Sequence, residues 1–169
     1  MTDNELYNDN LNNEAIDMPS INHSYIQSRL ILSFGESDQF TSFTELSLDA
    51  SQVDLAQFGL KTKDELIPDV CLYKGVHQFE PRKDSRKRTD MPVLVVEILS
   101  PNQGISELMN KFEAYFALGI KSCWLVIPQN ETITIYSPDK FETFGYKDNE
   151  IIDDILNLRI PIPKIWARV

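Results

Sequence analysis

The sequence predicts a single α/β domain built on one mixed sheet with helices on its faces, and three observations carry that reading. Two runs rich in β-branched and aliphatic residues, PVLVVEIL (residues 92–99) and KSCWLVIP (121–128), read as strands buried on both faces. Between them Ile105, Leu108, Met109, Phe112, Tyr115 and Phe116 recur at helical spacing. The segment is therefore strand, helix, strand with short links, the right-handed crossover that joins parallel neighbours. Around it lie shorter stretches in which apolar and polar side chains alternate, the mark of strands with one solvated face. At 169 residues the chain is the size of one domain with room for a core.

Taken in order, residues 1–19 hold Asp3, Glu5, Asp9, Glu14 and Asp17, no Lys or Arg and few large apolar side chains, and are expected to form a flexible acidic arm. The domain proper runs from 20 to 169. INHSYIQSRLILSF (21–34) places Ile21, Tyr25, Leu30 and Leu32 in a roughly helical pattern, with Ser20 as N-cap. FTSFTELSLD (40–49) alternates and is expected as one strand. Residues 50–65 form a polar connection containing Gly59, and LIPDVCLYKG (66–75) returns as a second strand, paired with the first as a hairpin with a long loop. After the polar residues 76–90 comes the central strand, then the helix, which Gly119 ends as a C-cap. Gln129 and Asn130 turn KSCWLVIP into TITIYS as a hairpin, and FETFGY adds an edge strand. The proline-rich IPIPKIWARV cannot be a central strand and is expected along the sheet margin.

Composition narrows the function classes. The chain is 42% hydrophobic, slightly low for a globular domain, and 25% charged, an ordinary share. No stretch approaches the ~18 apolar residues of a membrane span, and the N-terminus is acidic where a signal peptide needs a basic start. Cys71 and Cys123 sit singly in apolar runs without C-x-x-C spacing, so buried thiols are expected rather than a disulfide or zinc site. These features fit a cytoplasmic protein. The net charge of −10 argues against a non-specific nucleic-acid coat, but half of it lies in the arm. RKDSRKR (82–88) concentrates Arg82, Lys83, Arg86, Lys87 and Arg88. Such a run is either a solvated loop or a local phosphate-contacting patch.

One residue breaks the packing logic of the central strand. Glu97 sits in the middle of Val93, Leu94, Val95, Val96, Ile98 and Leu99, where a carboxylate loses its hydration and must be paired, protonated or bound to a metal. Asp69 is similarly placed in LIPDVCLY. If their strands are neighbours the two acids converge, and two close anions raise each other's pKa unless a cation sits between them. Two carboxylates, a backbone carbonyl and waters make a Mg²⁺ or Mn²⁺ site. His23 and His77 have no partner at zinc-ligand spacing.

IPDVCLY, then PVLVVEILSP, then a helix carrying Lys111 in NKFEAYFALGI, then KSCWLVIP resembles the Uma-two restriction-endonuclease family, a branch of the PD-(D/E)xK nuclease superfamily. The resemblance spans roughly residues 20 to 165 and rests on the ordered set PD, E-x-L-S-P, K-x-x-x-Y and W-L-V. It implies a restriction-endonuclease-like fold and metal-assisted phosphodiester hydrolysis of DNA. It further implies Asp69 and Glu97 as metal ligands, the Ile98 carbonyl as a third oxygen, and Lys111 as the catalytic lysine. The superfamily lysine, two residues after the acid, is here Leu99, and the family places it on the following helix. A homodimer would suit cleavage of both strands of a duplex.

Each residue also has a plainer reading. Glu97 as a purely structural acid needs a buried basic or hydrogen-bonding partner, which its own strand does not supply. Asp69 after proline can serve as a strand-end residue bonding local backbone. Glu107 stands four residues before Lys111, the spacing of a helix-surface salt bridge. Tyr115 reads as core, Ser100 as the cap of the strand-to-helix turn, and Glu45 as a further site candidate. A catalytically silent nuclease-fold module for binding or assembly is thus the alternative to the endonuclease. A two-carboxylate glycosidase ranks last, because both acids lie in apolar strands.

Overall fold

The architecture comes from a computed structural model that describes residues 18–166. The acidic arm expected over residues 1–19 therefore lies outside the described residues, apart from Met18 and Pro19. Helix α1 (Ile21–Phe34) leads into β1 (Phe40–Thr44), β2 (Ser47–Asp49), a 3₁₀ turn (Leu55–Phe58), β3 (Glu65–Leu66), β4 (Val70–Lys74), β5 (Lys87–Arg88) and β6 (Leu94–Ile98). Helix α2 (Ile105–Ala117) follows, then β7 (Ser122–Ile127), β8 (Thr132–Tyr136), β9 (Phe141–Gly145), β10 (Glu150–Asp153), β11 (Leu158–Pro161) and the single turn α3 (Ile162–Ile165). Six strands form the main sheet in the order β1-β4-β6-β7-β8-β9. Only β6 and β7 run parallel, joined through α2; the other neighbours are antiparallel. The domain is thus the mixed α/β sheet with helices that the hydrophobic pattern predicts. Among the described residues no helix is long and apolar enough to cross a membrane.

Side chains of the central strand alternate between two cores. Leu94, Val96 and Ile98 pack with α1, α3 and the β10–β11 hairpin through Ile26, Leu30, Phe34, Ile151, Ile160 and Ile165. Val95 and Leu99 pack on the other face with α2 and the small sheet β3-β2-β5, through Leu108, Phe112, Tyr115, Leu48 and Leu66. Glu97 lies between Val95 and Leu99, so the period of two aims it at the α2 side. The α2 helix ends as expected at Gly119, whose φ of +91° no L side chain tolerates well. Its N–H bonds Phe116 O and that of Ile120 bonds Tyr115 O, closing the last turn as a Schellman motif.

Several expectations need correction. FTSFTELSLD is two strands, because Glu45 adopts φ +51° and diverts the chain from β1 in the main sheet to β2 in the small one. The 50–65 connection contains the 3₁₀ turn, capped by Asp54 and burying Leu55. Helix α1 has Ser20 as its N-cap, accepting from His23 N at 3.1 Å. Its buried face is His23, Ile26, Leu30 and Phe34, whereas Ile21, Tyr25 and Leu32 are exposed. The α2 helix has Gly104 as its N-cap residue with no side-chain cap, and Ser100 lies before it in the strand-to-helix turn, where its carbonyl accepts the Gln103 amide at 3.1 Å. Part of the loop at 76–90 forms β5, and the C-terminal segment, outside the main sheet as its prolines imply, completes β11 and forms α3.

The hairpin β10–β11 is tied to the main sheet by a buried acid that the sequence did not single out. Asp153 Oδ2 accepts from Ser122 Oγ and from Trp124 Nε1 at 2.8 Å, and Oδ1 accepts from the Ile155 and Leu156 amides at 3.0 and 3.2 Å. Asp153→Ala strands the fully buried Ser122 and Trp124 donors, each worth ~1–3 kcal/mol when left unsatisfied in the interior, and releases the two turn amides as well. Urea unfolding of the variant should show a loss of about 3 kcal/mol or more. A change under about 1 kcal/mol would mean that the hairpin is held by apolar packing alone.

Candidate active site

Strand register brings three acids into one row. In the antiparallel pair β4–β6, Val70 faces Val96, so one step back on β4 and one forward on β6 sets Asp69 opposite Glu97. In β1–β4, Thr44 faces Val70, and the same step sets Glu45 opposite Asp69. The Glu45 amide still bonds Asp69 O at 3.3 Å. The row Glu45, Asp69, Glu97 thus crosses three adjacent strands at the end where β4 begins and β6 finishes. All three line an open pocket of ≈ 330 Å³ together with His23, Glu107 and Lys111.

Helix α2 supplies the cover for Glu97. Lys111 and Tyr115 are four residues apart and so share a face. Tyr115 donates its hydroxyl to Glu97 Oε1 at 2.7 Å, and Lys111 Nζ lies 3.2 and 3.3 Å from the two carboxylate oxygens. The partner that the strand itself lacks therefore comes from the crossover helix. Lys111 pairs with Glu97 rather than with Glu107, and Tyr115 is both core and hydrogen-bond donor.

Asp69 is held from both ends. Its Oδ2 accepts the Ile98 amide at 2.6 Å and faces His23 Nε2 at 3.1 Å, while its carbonyl accepts Gln27 Nε2 at 2.8 Å. Its Oδ1 takes no hydrogen bond from the described residues. Ile98 enters the site through its N–H. The α1 pair His23 and Gln27, four residues apart, was missed in the sequence, where His23 was weighed only as a zinc ligand. Its place in the i, i+3 series with Ile26 was the available signal.

Burial dominates the electrostatics. Glu97 is 2% exposed, and desolvation pushes its pKa from 4.5 to about 7. The Lys111 charge opposes that shift, the Asp69 charge adds to it, and the Tyr115 and Lys111 hydrogen bonds oppose it. Burial and the neighbouring Glu97 hold the Tyr115 phenol well above its usual range, so it stays a donor. The hydrogen bond to Asp69 raises the His23 pKa against the effect of burial.

Among the described residues no group of three or more His, Cys, Asp or Glu forms a metal cage. The donor set nonetheless fits Mg²⁺ or Mn²⁺, which bind through one or two carboxylates completed by waters and substrate phosphate. Asp69 and Glu97 are the residues able to hold such an ion. The basic run stands apart, since none of its residues lines the pocket. Lys87 and Arg88 form β5 and pair with Asp64 and Asp90, Arg88 stacks 4.3 Å over Tyr73, and Lys83 pairs with Glu80. Arg82 and Arg86 make no ion pair among the described residues.

Comparison with known proteins bears on the chain's family and fold. The model of the Uma2 family, described as "putative restriction endonuclease", matches residues 4–169. A crystal structure described as a "putative nuclease belonging to DUF820", from Anabaena variabilis, superposes with a TM-score of 0.68 at 21% identity. The superposition covers 89% of this chain and 83% of that one, and shows a shared fold. No curated protein matches the chain.

The raised pKa of Glu97 makes stability depend on pH. Below pH 4.5 the group is protonated in both states and burial costs it nothing. As pH rises toward 7 the unfolded chain releases this proton first, so the folded state loses relative stability, and the loss is complete above about 7. In chelator, wild type should therefore lose about 3 kcal/mol relative to Glu97→Gln between pH 4.5 and 8. Parallel denaturant titrations measure this, and a pH-independent difference would show that Glu97 ionises normally.

Proposed function

The chain belongs to the Uma2 family, and from that premise and the geometry of its pocket we propose that the protein is a Mg²⁺- or Mn²⁺-dependent endonuclease hydrolysing phosphodiester bonds of DNA. The observation that carries the reading is the buried carboxylate of Glu97, opposite Asp69 and touched by the Lys111 ammonium, at a pocket open to solvent. Asp153 provides the comparison within the same molecule. A buried acid with a structural task has its oxygens filled by four donors. Among the described residues Glu97 receives only Tyr115 and Lys111, and Asp69 Oδ1 takes no donor.

In this reading Asp69 and Glu97 hold the ion, with the Ile98 carbonyl as a third oxygen by resemblance to the superfamily. A divalent ion bound there supplies an acidified water and a counter-charge for the phosphate oxygens. Tyr115 fixes the Glu97 carboxylate, so its lone pairs are aimed before the ion arrives. Lys111 keeps a positive charge beside the site, where charge on a cleaving phosphate grows. Arg82 and Arg86, the cations of the basic run without acidic partners among the described residues, meet phosphates farther along the strand. One observation favours the silent module instead: Glu45 and Glu107, both exposed at the pocket, add negative charge where a polyanion must enter.

Nicking of supercoiled plasmid separates the two. Wild type should nick with Mg²⁺ or Mn²⁺, Glu97→Ala should not, and Lys111→Ala should slow the reaction roughly a hundredfold, the scale of losing one preorganised donor. Absence of metal-dependent nicking by wild type would leave the binding module.

Metal uptake should also displace the proton that burial keeps on Glu97. At pH 6.5, with a pKa of about 7, Mn²⁺ binding should release on the order of 0.7 proton per ion. Calorimetry in buffers of different ionisation enthalpy reads this number. Binding heats that do not vary with the buffer would exclude Glu97 as a ligand.

A further inference from the structure

Two side chains of α1, one turn apart, end on the same residue. His23 Nε2 lies 3.1 Å from Asp69 Oδ2, and Gln27 Nε2 donates to Asp69 O at 2.8 Å. Packing does not explain the histidine. The rest of that buried face is Ile26, Leu30 and Phe34, and an apolar residue at 23 would complete it. His23 is 5% exposed, and its other ring nitrogen, Nδ1, is buried without a partner. Among the described residues the polar contact that rewards placing an imidazole there is therefore the one with Asp69. Its backbone is fixed as well, because its amide donates to the Ser20 cap.

Asp69 needs such a hold. It directly follows Pro68 and precedes the first ladder residue of β4, so it stands at the strand's end. The Ile98 amide, 2.6 Å from Oδ2, is a single bond about which the carboxylate can still turn. The His23 ring nitrogen, 3.1 Å from the same oxygen, restricts that freedom on one side of the carboxylate and leaves Oδ1 the uncommitted oxygen.

We propose that His23 is a positioning residue which, with Gln27, seats helix α1 on Asp69 and fixes which carboxylate oxygen faces the pocket. Its consequence for catalysis rests on the reading of Asp69 as a metal ligand; the positioning itself does not. Partners that orient a ligating carboxylate typically change metal affinity or activity by roughly ten- to a hundredfold when removed.

The test uses His23→Leu, which removes the donor, and His23→Gln, whose amide nitrogen can stand near the Nε2 position. Two readouts are taken on the full chain: the ¹H–¹⁵N resonance and exchange rate of the Ile98 amide without metal, and the Mn²⁺ dissociation constant. In His23→Leu the Ile98 amide proton should move upfield and exchange faster, and Mn²⁺ affinity should fall roughly ten- to a hundredfold. His23→Gln should restore most of both. Should His23→Leu not fold, His23→Phe keeps the ring volume without the donor. An Ile98 amide unchanged in a folded variant without the donor overturns the proposal, even if stability has dropped. If wild type takes up no Mn²⁺ while the amide responds, the nuclease reading fails and the positioning stands. If Mn²⁺ binds wild type and the Leu variant alike and the amide is unmoved, the reverse holds.

Discussion

Burying Glu97 in an inner strand of a six-stranded sheet strips water from a carboxylate, and much of the surrounding structure follows from that cost. The strand cannot supply a donor, since its neighbours on the same face are Val95 and Leu99. The partner has to descend from the layer above, which fixes the rotation of α2 about its axis. Lys111 and Tyr115 reach the carboxylate only when their shared face points toward the sheet. The same rotation drives Leu108 and Phe112 into the core beside them. Polar and apolar demands on the helix agree, and the crossover between the two parallel strands is seated by both.

The second acid arrives by a different route. Asp69 is placed by strand register and then anchored by backbone and side-chain bonds, so the site draws on β4, β6 and both long helices. A site assembled from the ends of several elements keeps its geometry only while all of them stay docked. Asp153 serves that docking elsewhere, joining the terminal hairpin to β7. Two buried acids in one small domain thus have opposite characters: Asp153 is saturated by donors, and Glu97 is left with a pKa near neutrality beside an open pocket.

Much of this was legible in the residues. The strands around Glu97 and the α2 helix between them are long and strongly patterned, and a lone acid in an aliphatic run announces itself. What escaped depended on distance in sequence or on single backbone angles. The positive φ at Glu45 splits one alternating stretch into strands of two sheets, and nothing in its side-chain pattern signals that. On α1 the apolar residues Ile21, Tyr25 and Leu32 drew attention to the wrong face, while the true inner stripe begins with His23. A histidine on a buried stripe is explained only by what lies opposite, and Asp69 is 46 residues away in the chain (69 − 23).

The same logic accounts for leucine, not lysine, at position 99. Residue 99 shares the face of Glu97, but it lies one step farther along, packed with Leu108 and Phe112 at 9% exposure. An ammonium tethered there would have to be desolvated among apolar groups, a cost several times larger than its attraction to one carboxylate repays. From α2 the amine approaches from the pocket side instead. The Lys111 side chain keeps 19% of its surface exposed, while the Glu97 side chain beneath it keeps 3%. The charge can therefore stay partly hydrated and still lie within 3.3 Å of both oxygens. Carrying the lysine on the helix keeps the ion pair and leaves position 99 to the core. In exchange, the distance between lysine and acid is set by how α2 packs rather than by the fixed repeat of a strand.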